Sequence, residues 1–220
     1  DKIVCVSDKT FSEFSDFYPN FINKCCVILN PLPSNYIKFK PKIRNLKIKE
    51  KFLFLYVGKR NGEKNFDEGL KALCDSKIQN FNLICVGSEF TKKEIKNWKK
   101  LIDQGKLSCL GNVSNEELIS LYGKADFLFL PSRDEGFGLP IIETLCIGTP
   151  LIILHQKAVS IIDSCCYIEL RSKTNCEDLH QFIEQWISIA PKISNKIKNK
   201  FDLNVIKANY RKHILNLINS

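Results

Sequence analysis

Two glutamates and a group of cations are the side chains in this sequence best suited to chemistry. Glu135 stands in the segment Ser132-Arg133-Asp134-Glu135-Gly136-Phe137-Gly138, and Glu143 follows eight positions later among Ile141, Ile142 and Leu145. Gly136 and Gly138 free the backbone, and Pro140 suits the first turn of a helix. Exposed amides at such a helix start bind hydroxyl or phosphate oxygens. A carboxylate inside an apolar helix needs a partner, because burying it bare is costly. Paired hydroxyls, as a ribose presents, would serve Glu143, and so would a structural salt bridge.

Two further loops carry suggestive residues. Gly58-Lys59-Arg60-Asn61-Gly62-Glu63-Lys64-Asn65 places three cations and two glycines ahead of a helix, an anion site that needs no metal. Its spacing does not fit a P-loop, and taken alone it reads more readily as a solvated basic turn. Leu110-Gly111-Asn112-Val113-Ser114 offers a glycine against which a flat base could lie, though it also reads as a plain strand-to-helix turn.

These loops need elements to position them. Phe52–Val57, Leu83–Val86, Leu107–Leu110, Phe127–Leu130 and Leu151–Leu154 are apolar strand candidates. Helices are expected over Phe66–Cys74, from Thr91 to about Ile102, from Ser114 past Tyr122, and from Pro140 to Ile147. Thr91 with Glu94 and Ser114 with Glu117 have capping-box spacing. Ile3–Val6 and Val27–Leu29 are short strand candidates flanking a helical face of Phe11, Phe14 and Tyr18. Pro31 to Lys51 reads mainly as a connection. The apolar pair at 161–162, Tyr167–Leu170, and helices near Glu177–Ile189 and Val205–Ile218 complete the chain. Apolar strands alternating with helices predict an α/β fold, a parallel sheet covered on both faces.

Composition sets outer limits. The 220 residues are 44% hydrophobic and 26% charged, with 33 Lys and Arg against 24 Asp and Glu and a net charge of +9. That excess suits a phosphate-bearing ligand, an anionic membrane surface or nucleic acid. Aromatic residues fall in strand and helix faces rather than among basic ones, which argues against nucleic-acid binding. The ten cysteines form no C-x-x-C pair and sit mostly in apolar runs, as reduced thiols of a cytosolic protein do. His155, His180 and His213 are scattered and suggest no metal site. The sequence contains no Met, so a fragment or processed chain is expected.

The run from Ala125 to Pro150 closely resembles the signature of the family-4 retaining glycosyltransferases, two glutamates separated by seven residues. The resemblance extends to Tyr56-Val57-Gly58 with Lys64-Asn65-Phe66, to Val86-Gly87, and to Leu110-Gly111-Asn112-Val113 with Glu116-Glu117-Leu118 and Tyr122. It reaches back to Val4-Cys5-Val6-Ser7, Val27-Ile28-Leu29-Asn30-Pro31 and Phe39-Lys40-Pro41. It implies the carboxyl-terminal half of a GT-B architecture, two Rossmann-like domains facing across a cleft. On that reading residues 1–50 end the first domain and cross to the second, 51–200 form the Rossmann-like donor domain, and 201–220 a terminal helix.

What the resemblance implies for the site is specific. Glu135 would contact the transferred sugar, with the amides of Gly136, Phe137, Gly138 and Leu139 orienting its hydroxyls. Glu143 would bind the donor ribose. Lys64, with Gly58, Lys59 or Arg60, would hold the diphosphate, and Val113 and Leu118 would lie near the base. The implied reaction transfers sugar from a nucleoside diphosphate to an acceptor glycan or glycolipid, in surface-polysaccharide or lipopolysaccharide synthesis at the cytoplasmic face of a membrane. No D-x-D pair is present, so no metal or other cofactor is expected. The sequence departs from the family at Lys59, where arginine is usual, and at Lys157–Asp163, where a Gly-Gly turn is common. An epimerase or phosphorylase on the same scaffold is the main alternative; a glycosidase is weaker, since the two carboxylates are not obviously placed to flank one bond.

Overall fold

A computed structural model describes residues 2–40, 51–159 and 162–218. Its centre is a parallel sheet formed by β3 (Phe52–Val57), β4 (Phe81–Val86), β5 (Leu107–Cys109), β6 (Phe127–Leu130), β7 (Leu151–Ile153) and β8 (Tyr167–Glu169), in the order β5-β4-β3-β6-β7-β8. The order grows one way from β3 through β4 to β5, then returns to the other side at β6. The sheet's topological switch point therefore lies between β3 and β6.

Period-two alternation builds both faces. Phe52, Phe54 and Tyr56 of β3 and Phe127 and Phe129 of β6 point to one side, with Leu83, Cys85 and Ile152. Leu55, Leu128, Leu130, Leu151 and Ile153 point to the other. Helix α3 (Phe66–Asp75) covers the aromatic side through Phe66, Leu70 and Leu73, and α4 (Lys92–Asp103) adds Trp98 and Leu101. Helices α5 (Asn115–Lys124), α6 (Leu139–Ile147) and α7 (Cys176–Phe201) cover the aliphatic side. Strands buried on both faces explain why their sequences are almost uninterrupted apolar runs.

Local rules hold at the helix starts. Thr91 accepts from the Glu94 amide while Glu94 returns a bond to the Thr91 backbone, and Ser114 with Glu117 repeats the pattern. Asn175 and Asp178 make a third such box at the start of α7. Each cap is worth about 1 kcal/mol.

The chain departs from expectation in several places. α7 runs to Phe201, twelve residues past the expected end at Ile189, with Pro191 inside it. Proline usually ends a helix, but here Ala190, Ser194, Ile197 and Phe201 are buried and Ser194 Oγ donates to the Cys146 carbonyl on α6. Tertiary packing outweighs the local break. The stretch read mainly as a connection contains a short helix, α2 (Ser34–Lys38), pinned by buried Tyr36; its continuation through 41–50 lies outside the described residues, as does Ile161. Leu110 and Leu154 fall just outside their strands.

Before the sheet, β1 (Ile3–Cys5) and β2 (Cys25–Val27) pair as a separate two-stranded parallel sheet, with α1 (Asp8–Phe17) between them. The chain closes with α8 (Leu203–Ile218). Among the described residues no helix is long and apolar enough to cross a membrane.

One glycine is required by packing. A Cβ on Gly69 of α3 would lie 2.1 Å from the Cβ of Pro131, the residue that follows β6. Gly69→Ala should lower stability by about 2 kcal/mol through overpacking. Gly123→Ala in α5, where the new atom would meet Phe39 at an ordinary 3.4 Å, should be neutral or gain up to about 1 kcal/mol from helix propensity. Urea midpoints of the two variants test this, and equal effects would contradict it.

Candidate functional site

The loops leaving β3 and β6 meet at the switch point, where open α/β sheets place their ligands. β3 and β6 pair only at Phe54–Phe127 and Leu55–Leu128, so no ladder pairing joins them at their carboxyl ends. Across that crevice Lys64 Nζ donates to both carboxylate oxygens of Glu135, each at 2.8 Å. The Glu135 side chain is 7% exposed and that of Lys64 34%. Ser132 Oγ adds a third bond to Glu135 Oε1 at 2.7 Å. A buried carboxylate in this setting is tolerable because it is both paired and hydrogen-bonded.

Asn65 sets Lys64 in place. Its backbone lies in the left-handed region at φ 51°, where asparagine is among the few residues tolerated other than glycine. Its Nδ2 reaches the Pro131 carbonyl at 3.4 Å and His155 Nε2 at 3.2 Å. One residue thus ties the loops after β3, β6 and β7. The Arg133 amide also donates to the Glu63 carbonyl at 2.9 Å, a second bridge between the first two loops.

Gly136, Phe137, Gly138 and Leu139 follow Glu135 at the start of α6. Gly138 is the helix cap at φ 69°, and Leu139 is the first helical residue. No acceptor for the amides of these four residues exists among the described residues. A run of unpaired donors beside a paired carboxylate is an arrangement that recognises oxygen-rich ligands.

Glu143 lies on α6, one turn further in. Tyr122 of α5 donates its hydroxyl to Glu143 Oε2 at 2.8 Å, and the carboxylate has no other partner among the described residues. Burial raises the Glu143 pKa above the ordinary carboxylate range, partly offset by the Tyr122 bond. Burial, with Glu143 alongside, also drives the Tyr122 phenol well up, so it stays a donor.

The remaining expected residues divide. Lys59 is exposed, with no ion-pair partner among the described residues. Gly58, at φ 131°, packs its carbonyl where a Cβ on Gly87 would sit, which draws the β3 and β4 loops together. Val113 and Leu118 are half-buried against the aliphatic core. Arg60 turns away: its Nε donates to Glu94 at 2.7 Å, its Nη2 to the Glu89 carbonyl at 2.7 Å, and its guanidinium lies 4.7 Å from the Phe90 ring centre. At 4% side-chain exposure, Arg60 is committed to bracing the β3 and β4 loops, not to the crevice that holds Lys64.

Sequence reasoning missed Ser132, Asn65 and the tyrosine contact. Ser132 had a signal, an S-x-x-E spacing to Glu135. Asn65 had a weaker one, an asparagine at the entry to a helix. Among the described residues no group of three or more His, Cys, Asp or Glu converges to hold a metal.

The fold and site define an open, doubly wound α/β domain whose switch-point crevice brings together a cation, a carboxylate and backbone amides unpaired among the described residues. Solved structures share that fold: a glycosyltransferase from Rickettsia africae aligns over 100% of this chain and 64% of its own at TM-score 0.72 and 24% identity. Anabaena HepE, solved with UDP and glucose, aligns over 97% and 62% at TM-score 0.74 and 16% identity. In sequence, an uncharacterised glycosyltransferase of Methanocaldococcus jannaschii is 28% identical over 86% of this chain and 50% of its own length. The O-antigen chain mannosyltransferase RfbU of Salmonella typhimurium is 36% identical over 46% of this chain and 29% of its own. This chain therefore spans half the length of the archaeal relative, and less of the Salmonella one. The glycosyl transferases group 1 profile matches residues 38–160, more than half of the chain, and the chain belongs to that family.

The Glu143 environment yields a signed prediction. Its folded pKa lies above the unfolded value of 4.5, so the folded state holds the proton more tightly. Stability is then lost as pH rises from the unfolded toward the folded pKa, and is level above it. Glu143→Gln removes that loss. Urea midpoints at pH 4 and pH 8 should show the variant gaining on the parent as pH rises; a constant difference would count against the burial effect.

Proposed function

We propose that the switch-point crevice binds a nucleoside diphosphate sugar and that, joined to the remainder of a two-domain enzyme, it transfers the sugar to an acceptor hydroxyl. The observation that carries this reading is the Lys64–Glu135 pair, a cation and a carboxylate at the mouth between β3 and β6. Sugar transfer builds positive charge on the sugar ring and negative charge on the departing diphosphate. A cation near the second and a carboxylate near the first stabilise the transition state more than the ground state.

In this reading an arriving diphosphate competes with Glu135 for Lys64. The exchange gives Lys64 a phosphate partner and turns the Glu135 carboxylate toward the sugar, with Ser132 still holding one oxygen. Lys59, exposed on the same loop, adds a second cation. The amides of Gly136, Phe137, Gly138 and Leu139 orient sugar hydroxyls. Glu143 takes the ribose hydroxyls with the oxygen that Tyr122 leaves open. Val113 and Leu118 lie toward the base. Arg60 acts at one remove, by bracing the loop that carries Lys64.

The cationic side chains and the α6 amides take the role a divalent ion has in other transferases, so the proposed reaction is metal-independent. The bond from the anomeric carbon to the diphosphate breaks as the bond to the acceptor oxygen forms on the same face, retaining configuration. The name of the Salmonella relative points to a surface glycan as acceptor. Nucleotide sugars are cytoplasmic, and the net charge of +9, with Lys92, Lys93, Lys96, Lys99 and Lys100 on α4, favours peripheral contact with an anionic membrane.

Calorimetric titration with UDP, GDP, ADP and CMP, with and without EDTA, tests the reading. One nucleoside diphosphate should bind selectively and insensitively to EDTA. Glu143→Ala should weaken it at least tenfold, about 1.4 kcal/mol. Undiminished affinity in Glu143→Ala sinks the ribose role, and binding that EDTA abolishes sinks metal independence. If none of the four binds, the crevice is not a nucleotide site of this chain.

A further inference from the structure

The loop that carries Glu135 is held from two sides, and only one belongs to the six-stranded sheet. From the other, Lys9 on α1 donates Nζ to the Glu135 carbonyl at 2.8 Å and pairs closely with the Asp134 carboxylate. Ser7, the cap of α1, donates Oγ to the Gly136 carbonyl at 2.9 Å. Lys157, in the turn after β7, pairs with the other oxygen of Asp134 at 2.8 Å. Ser7 is buried, at 4% residue exposure, and Lys9 is half-buried, at 13% side-chain exposure.

Packing gives little support at Gly136, the exposed point of the loop. Behind Phe137 lies a cavity of about 560 Å³, walled by Leu29, Ile142, Leu145, Ile193 and Phe201. Phe137 touches its wall edge-on at Phe201, ring centres 6.0 Å apart. A Cβ on Gly136 would meet nothing within 4 Å. At Gly136, which lacks close neighbours, polar contacts fix the height of the backbone over the crevice.

We propose that Lys9 and Ser7 are positioning residues for the sugar end of the site: α1, an element outside the sheet domain, sets the Glu135–Gly138 backbone through its carbonyls. This inference rests on the proposed donor site for its functional meaning, but the clamp is a property of the chain itself. α1 thereby couples its own placement to the presentation of the amides, while Lys64 separately holds the Glu135 carboxylate.

Nitrogen-15 relaxation and calorimetry together test it, on the parent chain, Lys9→Met, Lys9→Arg and Ser7→Ala. In Lys9→Met the backbone order parameters at 134–138 should fall below about 0.6 while those of Phe127–Leu130 are unchanged. Ser7→Ala should move the same segment less, and Lys9→Arg should keep the parent values. Affinity for UDP-glucose or GDP-mannose, whichever the parent binds, should fall about tenfold in Lys9→Met, while affinity for bare UDP or GDP stays within twofold. General destabilisation would instead lower order across the sheet and weaken both ligands alike. If Lys9→Met does not fold, Ser7→Ala decides by the same relaxation pattern. Unchanged order at 134–138 in every folded variant overturns the clamp whatever the nucleotides do. A parent chain that binds no nucleotide overturns the donor site and leaves the relaxation comparison to judge the clamp.

Discussion

The contact between Lys64 and Glu135 joins the two halves of the sheet at the point where their strand order reverses. Much of the fold serves that meeting. β3 and β6 are neighbours in space but not in sequence, and both lie in the middle of the sheet, largely buried on both faces. Gly69 lets α3 lie against Pro131, and Asn65 fastens the same helix entry to the Pro131 carbonyl. The segment that supplies the cation thus also grips the loop that supplies the carboxylate. A small shift of one loop would carry the other with it, which is how a buried ion pair keeps its geometry despite a large desolvation cost.

The loop from Ser132 to Gly136 is braced residue by residue through polar contacts. Ser132 bonds Glu135, the Arg133 backbone bonds Glu63, Asp134 lies between Lys9 and Lys157, and Gly136 accepts from Ser7. These contacts differ in weight. The Arg133–Glu68 pair has both side chains more than half exposed, where ion pairs contribute about 1 kcal/mol or less. The buried Ser132 bond to Glu135 and the half-buried Lys64 and Lys9 contacts are the ones whose loss costs most. A loop built this way can hold an exact shape while keeping its amides turned outward, which close apolar packing would have covered.

Much of this was legible in the sequence, and the limits have physical causes. The strands read clearly because a parallel sheet covered on both faces demands apolar runs, and β3 and β6 match their expected bounds. The capping boxes at Thr91 and Ser114 read clearly because they are satisfied within one turn. Legibility failed where distant residues decide. Nothing local to Pro191 says that α6 will hold the helix straight through it, and nothing in Gly58–Asn65 says that Arg60 will find Glu94 and Phe90 on another loop. Three cations in one turn look alike in sequence; only the fold separates Lys64, which faces Glu135, from Arg60, which braces, and Lys59, which faces solvent. The hold of Lys9 and Ser7 on residues 134–136 spans more than a hundred positions and left no local mark.

The two glutamates show how environment divides one residue type into two tasks. Glu135 is matched by a cation and a hydroxyl, so its charge is stabilised before any ligand arrives. Glu143 is half-buried beside one phenol, with no cation paired to it among the described residues, so ionisation there is disfavoured until further donors come. A pair of ribose hydroxyls would supply such donors without adding charge. The phosphate side works in the opposite sense: Lys64 already has an anionic partner and must exchange it. On the proposed reading, donor binding therefore consists of two linked events: completion of a half-built hydrogen-bond set at Glu143, and displacement of a complete one at Lys64. The second frees the Glu135 carboxylate only when a diphosphate is present to replace it, so the charge that acts on the sugar is released by the group that is to leave.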